Sequence, residues 1–369
     1  MRKPARIIYL VLLLFFLRIA PQAATVNLKF TDGSGKPVPD VVVRGSYTSS
    51  ILFPNQVNTF ETKSDAEGLI SIMHPSCSNG SGSCCMMVSP VTYQVIGKFG
   101  YNFVGGGTVA CGAGLPSQQT IVGSGQEYPR LTAVSGANYQ ELLTGDQIVA
   151  AFGTNLAAIT AVAALPLPTA LGGRMVFIRD WNGIEQVVQL LFVSPTQINF
   201  IMPPTGELSG FRTLIVKNES NQVISVGVPR INQISPGFFS ANADGQGLAS
   251  AVILRVRADD SRQYEAISRF DETQRKFVPI PIDLGPESEF VVLALFGTGW
   301  RRTGAVSDVN MKIGGIDCPI DYVGDQPTIE GLDQINVRLP RALIGRGDVT
   351  IEAQFRTGFQ ANPVQIRIK

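Results

Sequence analysis

Histidine is all but missing: His74 is the single one in 369 residues. A Ser-His-Asp or Cys-His nucleophile system would have to be built on that residue, which stands beside Pro75 and a cysteine-rich stretch and reads better as a surface or packing side chain. Charge is scarce too. Only 16% of residues are Asp, Glu, Lys or Arg and the formal net charge is +1, so there is no basic stripe to neutralise phosphates and no acidic tail. Nucleic acid does not fit as a partner. Glycine-rich stretches such as Gly105 to Gly107 and Gly297-Thr298-Gly299 lack the Gly-Lys-Ser/Thr ending of a phosphate loop and read as turns or bulges. No catalytic residue, cofactor or metal site is assigned, and the chain is not read as an enzyme.

Long apolar runs are missing after the first two dozen residues. The N-terminus carries Arg2, Lys3 and Arg6, an apolar stretch from Ile7 to Leu17, and small residues at Ala20, Ala23 and Ala24, the layout of a secretory signal. The run is too short for a membrane helix, which needs about 20 residues. Cleavage near Ala24 and an exported protein, extracellular, cell-surface or periplasmic, are therefore expected, with no transmembrane segment afterwards.

Cysteine usage agrees with export. Cys77, Cys84, Cys85 and Cys111 cluster around a Gly/Ser-rich loop, whereas Cys318 stands alone. Two disulfides and one free thiol are expected, Cys77 and Cys111 each taking one of the adjacent pair. Which one is left open, and a zinc site is the rival reading.

What the chain does have is repetition. Phe152-Gly153-Thr154, Leu171-Gly172-Gly173 and Gln197-Ile198-Asn199-Phe200 return in order as Phe296-Gly297-Thr298, Ile313-Gly314-Gly315 and Gln334-Ile335-Asn336-Val337, each set followed by a proline, Pro203 and Pro340. Offsets of 144, 142 and 137 residues belong to duplicated domains, because solenoid and propeller repeats run at roughly 20 to 50 residues. The apolar runs are short, β-branched and alternating, as in Val309, Met311 and Ile313 against Asn310 and Lys312, the pattern of half-buried antiparallel strands. Four segments follow: a signal peptide over 1–24, a small β module over 25–128, and two sandwiches over 129–231 and 232–369. The acidic and basic residues around Asp259-Asp260 and Asp271-Glu272 read as a solvated loop inserted ahead of the second Phe-Gly-Thr strand.

Two resemblances extend this reading. The opening strand, the Gly35-Lys36-Pro37-Val38-Pro39 turn and the Asp65-Ala66-Glu67-Gly68 turn resemble exported immunoglobulin-like and carboxypeptidase-regulatory-like sandwiches over about 50 residues. More specifically, Ser135 to Tyr139, Phe152 to Leu156, Leu165 to Gly173, Val193 to Phe200, Pro236 to Phe239, Phe296 to Gly299, Ile313 to Gly315 and Gly331 to Pro340 follow in order the landmarks of the Solibacter-type C-terminal domain, an uncharacterised acidobacterial family. The resemblance covers residues 131–369. It implies tandem Ig-like (IPT/TIG-like) β-sandwiches in an exported protein, and it implies no activity.

The remaining candidates are contact residues. Trp181, beside Asn182-Gly183 at an expected hairpin tip, and Trp300, before Arg301-Arg302, could stack on a sugar or bury in a partner, or pack at a domain junction. The repeated Gln-Ile-Asn could bond a sugar through two amides, yet its recurrence in both copies favours a structural task. The functional expectation is an exported non-catalytic binding, adhesion or spacer protein whose partner is a surface polymer, an envelope component or another protein. An accessory or enzymatic role in polysaccharide or peptide breakdown is the alternative, and a structural stalk is a third.

Overall fold

The computed structural model describes residues 25–48, 56–73, 90–109, 117–204, 209–356 and 358–369. The signal-like segment, His74 and the four clustered cysteines Cys77, Cys84, Cys85 and Cys111 lie outside the described residues. The chain is all-β and divides into two compact units, one ending at Gly125 and one beginning at Gln126.

The first unit is a sandwich of two four-stranded sheets. One runs in the order Leu69–Met73, Thr25–Asp32, Ser117–Gly125, Tyr101–Asn102, with the middle pair parallel; the other runs Val57–Lys63, Val42–Thr48, Val91–Gly97, Gly106–Val109. Alternation buries Leu28 and Phe30 from the first sheet against Val43, Val91 and Val95 from the second. Local turn chemistry starts and stops the strands. The Asp32 carboxylate accepts from the Ser34 and Lys36 amides at 2.9 and 3.0 Å, and the Asp65 carboxylate accepts from Glu67 and Leu69 at 3.0 and 2.8 Å, both Asx-type turns.

The second unit holds the duplicated pair. In the first copy a five-stranded sheet, Ala161–Val162, Gln189–Val193, Gln197–Ile201, Ile148–Phe152, Thr132–Ser135, faces the sheet Ala170–Leu171, Arg174–Arg179, Thr213–Asn218, Val223–Gly227. In the second copy the strands Ile320–Asp325, Asp333–Arg338, Phe290–Thr298, Ala251–Val256 and Arg262–Ala266 lie in that order and face the sheet Ile316–Asp317, Val309–Ile313, Gly347–Phe355, Val364–Ile368. Each copy keeps its own apolar core, one around Leu190, Ile198 and Phe200 and the other around Leu293, Trp300 and Ile335. Burying each such side chain contributes roughly 1.5 to 3 kcal/mol.

Two sequence expectations change here. The Gly-Gly landmarks are not equivalent. Gly172-Gly173 turns from the short edge strand into Arg174–Arg179, whereas Gly314-Gly315 turns out of Val309–Ile313 into the short edge strand. Both turns need positive φ at two successive residues, +54° and +72° and then +56° and +79°, which glycine alone adopts freely, so the same dipeptide arises at neighbouring hairpins. By strand pairing the counterpart of Gly314-Gly315 is the Asp180–Gly183 turn. The stretch from Asp259 to Glu272 is also not simply a solvated loop. Arg262–Ala266 joins the sheet as its edge strand, and Ser268–Asp271 pairs with Lys276–Pro279 as a separate hairpin.

The two copies are hydrogen-bonded to each other. Thr298 Oγ1 accepts from Ile148 N at 2.9 Å and donates to Gly331 O at 2.7 Å. The Gln147 amide, fully buried, donates to Ser235 O at 3.1 Å and to Ser135 Oγ at 3.0 Å while accepting from Thr144 N at 3.0 Å. Arg302 pairs with Asp146 at 2.7 Å. At Gly331, with φ +78°, a Cβ would come within 2.7 Å of Ile148 and 2.6 Å of Ile201, so this crossing requires glycine.

Candidate functional surface

The tryptophans part company. Trp300 is 0% exposed and belongs to the second sandwich's core. Its ring lies 5.3 Å from that of Phe238 and 6.4 Å from that of Phe355, and a Cβ on Gly297 would collide with it. It cannot meet a ligand, which removes the contact alternative and leaves packing, inside one sandwich's core: the chain turns inward after Gly299, where Asp333, itself buried, accepts from Trp300 N at 2.8 Å and from Arg301 Nε at 2.6 Å. Trp181 does sit at a hairpin tip, between Arg174–Arg179 and Glu185–Val187. It is half-buried, and its Nε1 is enclosed without a partner among the described residues.

The Gln-Ile-Asn amides bond each other. Gln197 Nε2 donates to Asn199 Oδ1 at 2.8 Å, and Gln334 Nε2 donates to Asn336 Oδ1 at 2.7 Å. Alternation puts both side chains of each pair on one sheet face, and the mutual bond fixes the two amides against each other, a structural task repeated in both copies. Cys318 is a buried free thiol donating to Ile316 O at 3.3 Å, and burial pushes its pKa up to about 11, a packing residue rather than a reactive one.

The surface with the most contact chemistry is the outer face of the second copy's larger sheet. Register places Tyr264, Leu254, Val292 and Arg338 side by side across four strands. Tyr264 is 73% exposed and Phe290, two residues before Val292, is 41% exposed. The Arg338 guanidinium lies 5.0 Å over the Phe290 ring and 3.3 Å from both oxygens of Asp321. Between Tyr264 and Arg338 lie the half-buried Leu254 and the buried Val292. Aromatic, aliphatic and arginine side chains therefore form one continuous strip across the four strands.

A buried arginine holds the edge strand that carries Tyr264. Arg255 donates from Nε to Glu265 at 2.6 Å, from Nη1 to Glu289 at 3.3 Å and from Nη2 to Asp283 O at 2.7 Å. The Arg255 hydrogen bond, opposed by burial, holds the Glu265 carboxyl below its ordinary range. Sequence reading missed Tyr264 and Phe290. The signal available was the alternation Arg262-Gln263-Tyr264-Glu265-Ala266, a strand pattern that the surrounding charges masked.

Among models of known protein families none matches this chain, and no curated protein matches it. Among solved structures, a Bacteroides ovatus mixed-linkage glucan utilization locus protein, SGBP-B, in complex with a mixed-linkage heptasaccharide, aligns over 94% of this chain at 8% identity and a TM-score of 0.28. This chain spans 66% of that protein's length. Likeness at that level leaves ligand and activity unaddressed.

Proposed function

We propose that the chain is an exported, non-catalytic binding protein whose second tandem sandwich lays its Tyr264, Phe290 and Arg338 face along an extended surface polysaccharide. The row of Tyr264, Leu254, Val292 and Arg338, with Phe290 beside it, carries the proposal. Aromatic rings offer flat apolar area to the C–H face of a sugar, and an arginine paired with a carboxylate supplies fixed donors and acceptors beside it. The Arg2-Lys3-Arg6 start, the Ile7 to Leu17 run and the small residues ending at Ala24 support export. The ordered landmarks from Ser135 to Pro340 support membership of the Solibacter-type C-terminal family.

The test is retention and turnover measured together on the mature chain. Affinity electrophoresis in gels containing soluble polysaccharides should show retardation, without released reducing ends. Tyr264→Ala should weaken it by about 1 to 3 kcal/mol, the range of an aromatic contact residue, with an unchanged melting temperature. Product formation would move the protein to the alternative class, an enzyme or accessory in polymer breakdown. Absence of retardation on every polysaccharide would remove the reading.

A further inference from the structure

We infer a second saccharide site on the opposite side of the same sandwich. The outer face of the sheet containing Val309–Ile313 and Gly347–Phe355 carries a cleft of about 380 Å³ lined by Asn310, Lys312, Glu352, Gln354, Gln360 and Pro363. That volume is within the range of small-molecule sites. Register sets Asn310 opposite Gln354 and Lys312 opposite Glu352, and a backbone bridge between Gln354 and Gln360 folds the chain back to form the third wall. The strands beneath are fixed by Met311, Ile313 and Ile351 in the core, so the polar groups stand on rigid elements.

The chemistry differs from that of the Gln-Ile-Asn pairs. There each pair of amides is joined by a side-chain bond. Here the carboxamides of Asn310, Gln354 and Gln360 have no hydrogen-bond partner among the described residues, and each presents a donor and an acceptor to the same cleft. Sugar hydroxyls, which donate and accept at once, match that set. Lys312 pairs with Asp317 at 3.8 Å, so the cleft's remaining charge is the Glu352 carboxylate, which favours a neutral ligand over a phosphate or a uronate. Pro363 provides the apolar wall.

The first copy supplies an internal control. By strand pairing, its residues at the positions of Asn310, Lys312, Glu352 and Gln354 are Met175, Phe177, Ile215 and Lys217. Ile215 is 0% exposed, and Lys217 Nζ closes over the Phe177 ring at 4.5 Å while bonding Glu185 at 2.7 Å. The sandwich therefore folds with a largely apolar, half-buried to buried surface at this place, closed by one ion pair. Its second version is polar and open.

Calorimetric titration of the full mature chain with neutral tetrasaccharides (β-glucan, xylan, mannan and chitin fragments) tests the site, with inorganic phosphate and a tetragalacturonate as charged probes. Saturable binding of a neutral probe is expected, about tenfold weaker in Asn310→Ala and again in Gln354→Ala, the upper range for a lost hydrogen bond. Both residues are exposed, so the melting temperature should hold. Tyr264→Ala should leave this binding intact, which separates the cleft from the aromatic strip. No saturable binding of any neutral probe, preference for phosphate or uronate, or binding indifferent to both amide substitutions would overturn the inference.

Discussion

Replacing Trp300 by alanine should unfold the second sandwich far more readily than it disturbs any contact with a partner. The ring is fully buried among Phe238, Phe355 and the Gly297 backbone, and truncating a core tryptophan costs about 3 to 5 kcal/mol, transfer and cavity together. For a folded unit of this size, about 2 to 4 °C per kcal/mol, the melting temperature should fall by roughly 6 to 20 °C. The cost has an internal check. Trp300 Nε1 is buried without a partner among the described residues, so Trp300→Phe keeps most of the ring contact while removing an unpaired donor, and its net cost should stay near 1 kcal/mol. Urea unfolding followed by far-UV circular dichroism measures both, with Trp181 left as the fluorescent reporter. A Trp300→Ala protein within about 1 kcal/mol of wild type, or one of wild-type stability that has lost polysaccharide retention, would refute the core assignment.

Other perturbations follow from the seam and the edge strand. Thr298→Val strips the acceptor from Ile148 N at the junction of the two copies and should cost about 1 to 3 kcal/mol, read as faster hydrogen exchange at residues 146–149. Arg255→Ala leaves Glu265 and Glu289 without their cation and should cost about 2 to 3 kcal/mol, with proteolysis beginning in Arg262–Ala266; uniform cleavage elsewhere would contradict the clamp. Burial raises the Asp333 carboxyl to about 6 despite Arg301. A raised folded-state pKa gives stability that is full below about pH 4 and lost as pH climbs toward 6, on the order of 2 to 3 kcal/mol. The stability difference between wild type and Asp333→Asn should therefore shrink by that amount from pH 4 to pH 7, and a pH-independent difference would count against it.

Strand identity was legible wherever alternation and turn chemistry agreed. Val309, Met311 and Ile313 point inward and Asn310 and Lys312 outward, as their alternation implies. Legibility failed where a residue's environment depends on a distant segment. Trp300, followed by two arginines, looks exposed in one dimension, and only the fold brings Asp333 to bond its backbone and Phe238 and Phe355 to cover its ring. The same holds for the contact surfaces. Tyr264 and Arg338 are 74 positions apart in the chain and meet on one face only through the register of four strands.

The duplication shows how far a repeated motif can be trusted. Phe-Gly-Thr occurs in both copies after equivalent strand segments, yet Thr154 is exposed whereas Thr298 is fully buried and bonds the first copy's Ile148. The glycine pairs repeat because two neighbouring hairpins each need left-handed turns, not because they descend from one position. Only Gln-Ile-Asn recurs with the same strand, register and side-chain bond in both. Function should accordingly be sought where the copies diverge at equivalent positions. The core faces stay apolar in both, while the outer face of the smaller sheet passes from Met175, Phe177 and Ile215 to Asn310, Lys312 and Glu352, a change that packing does not require and that ligand contact would explain.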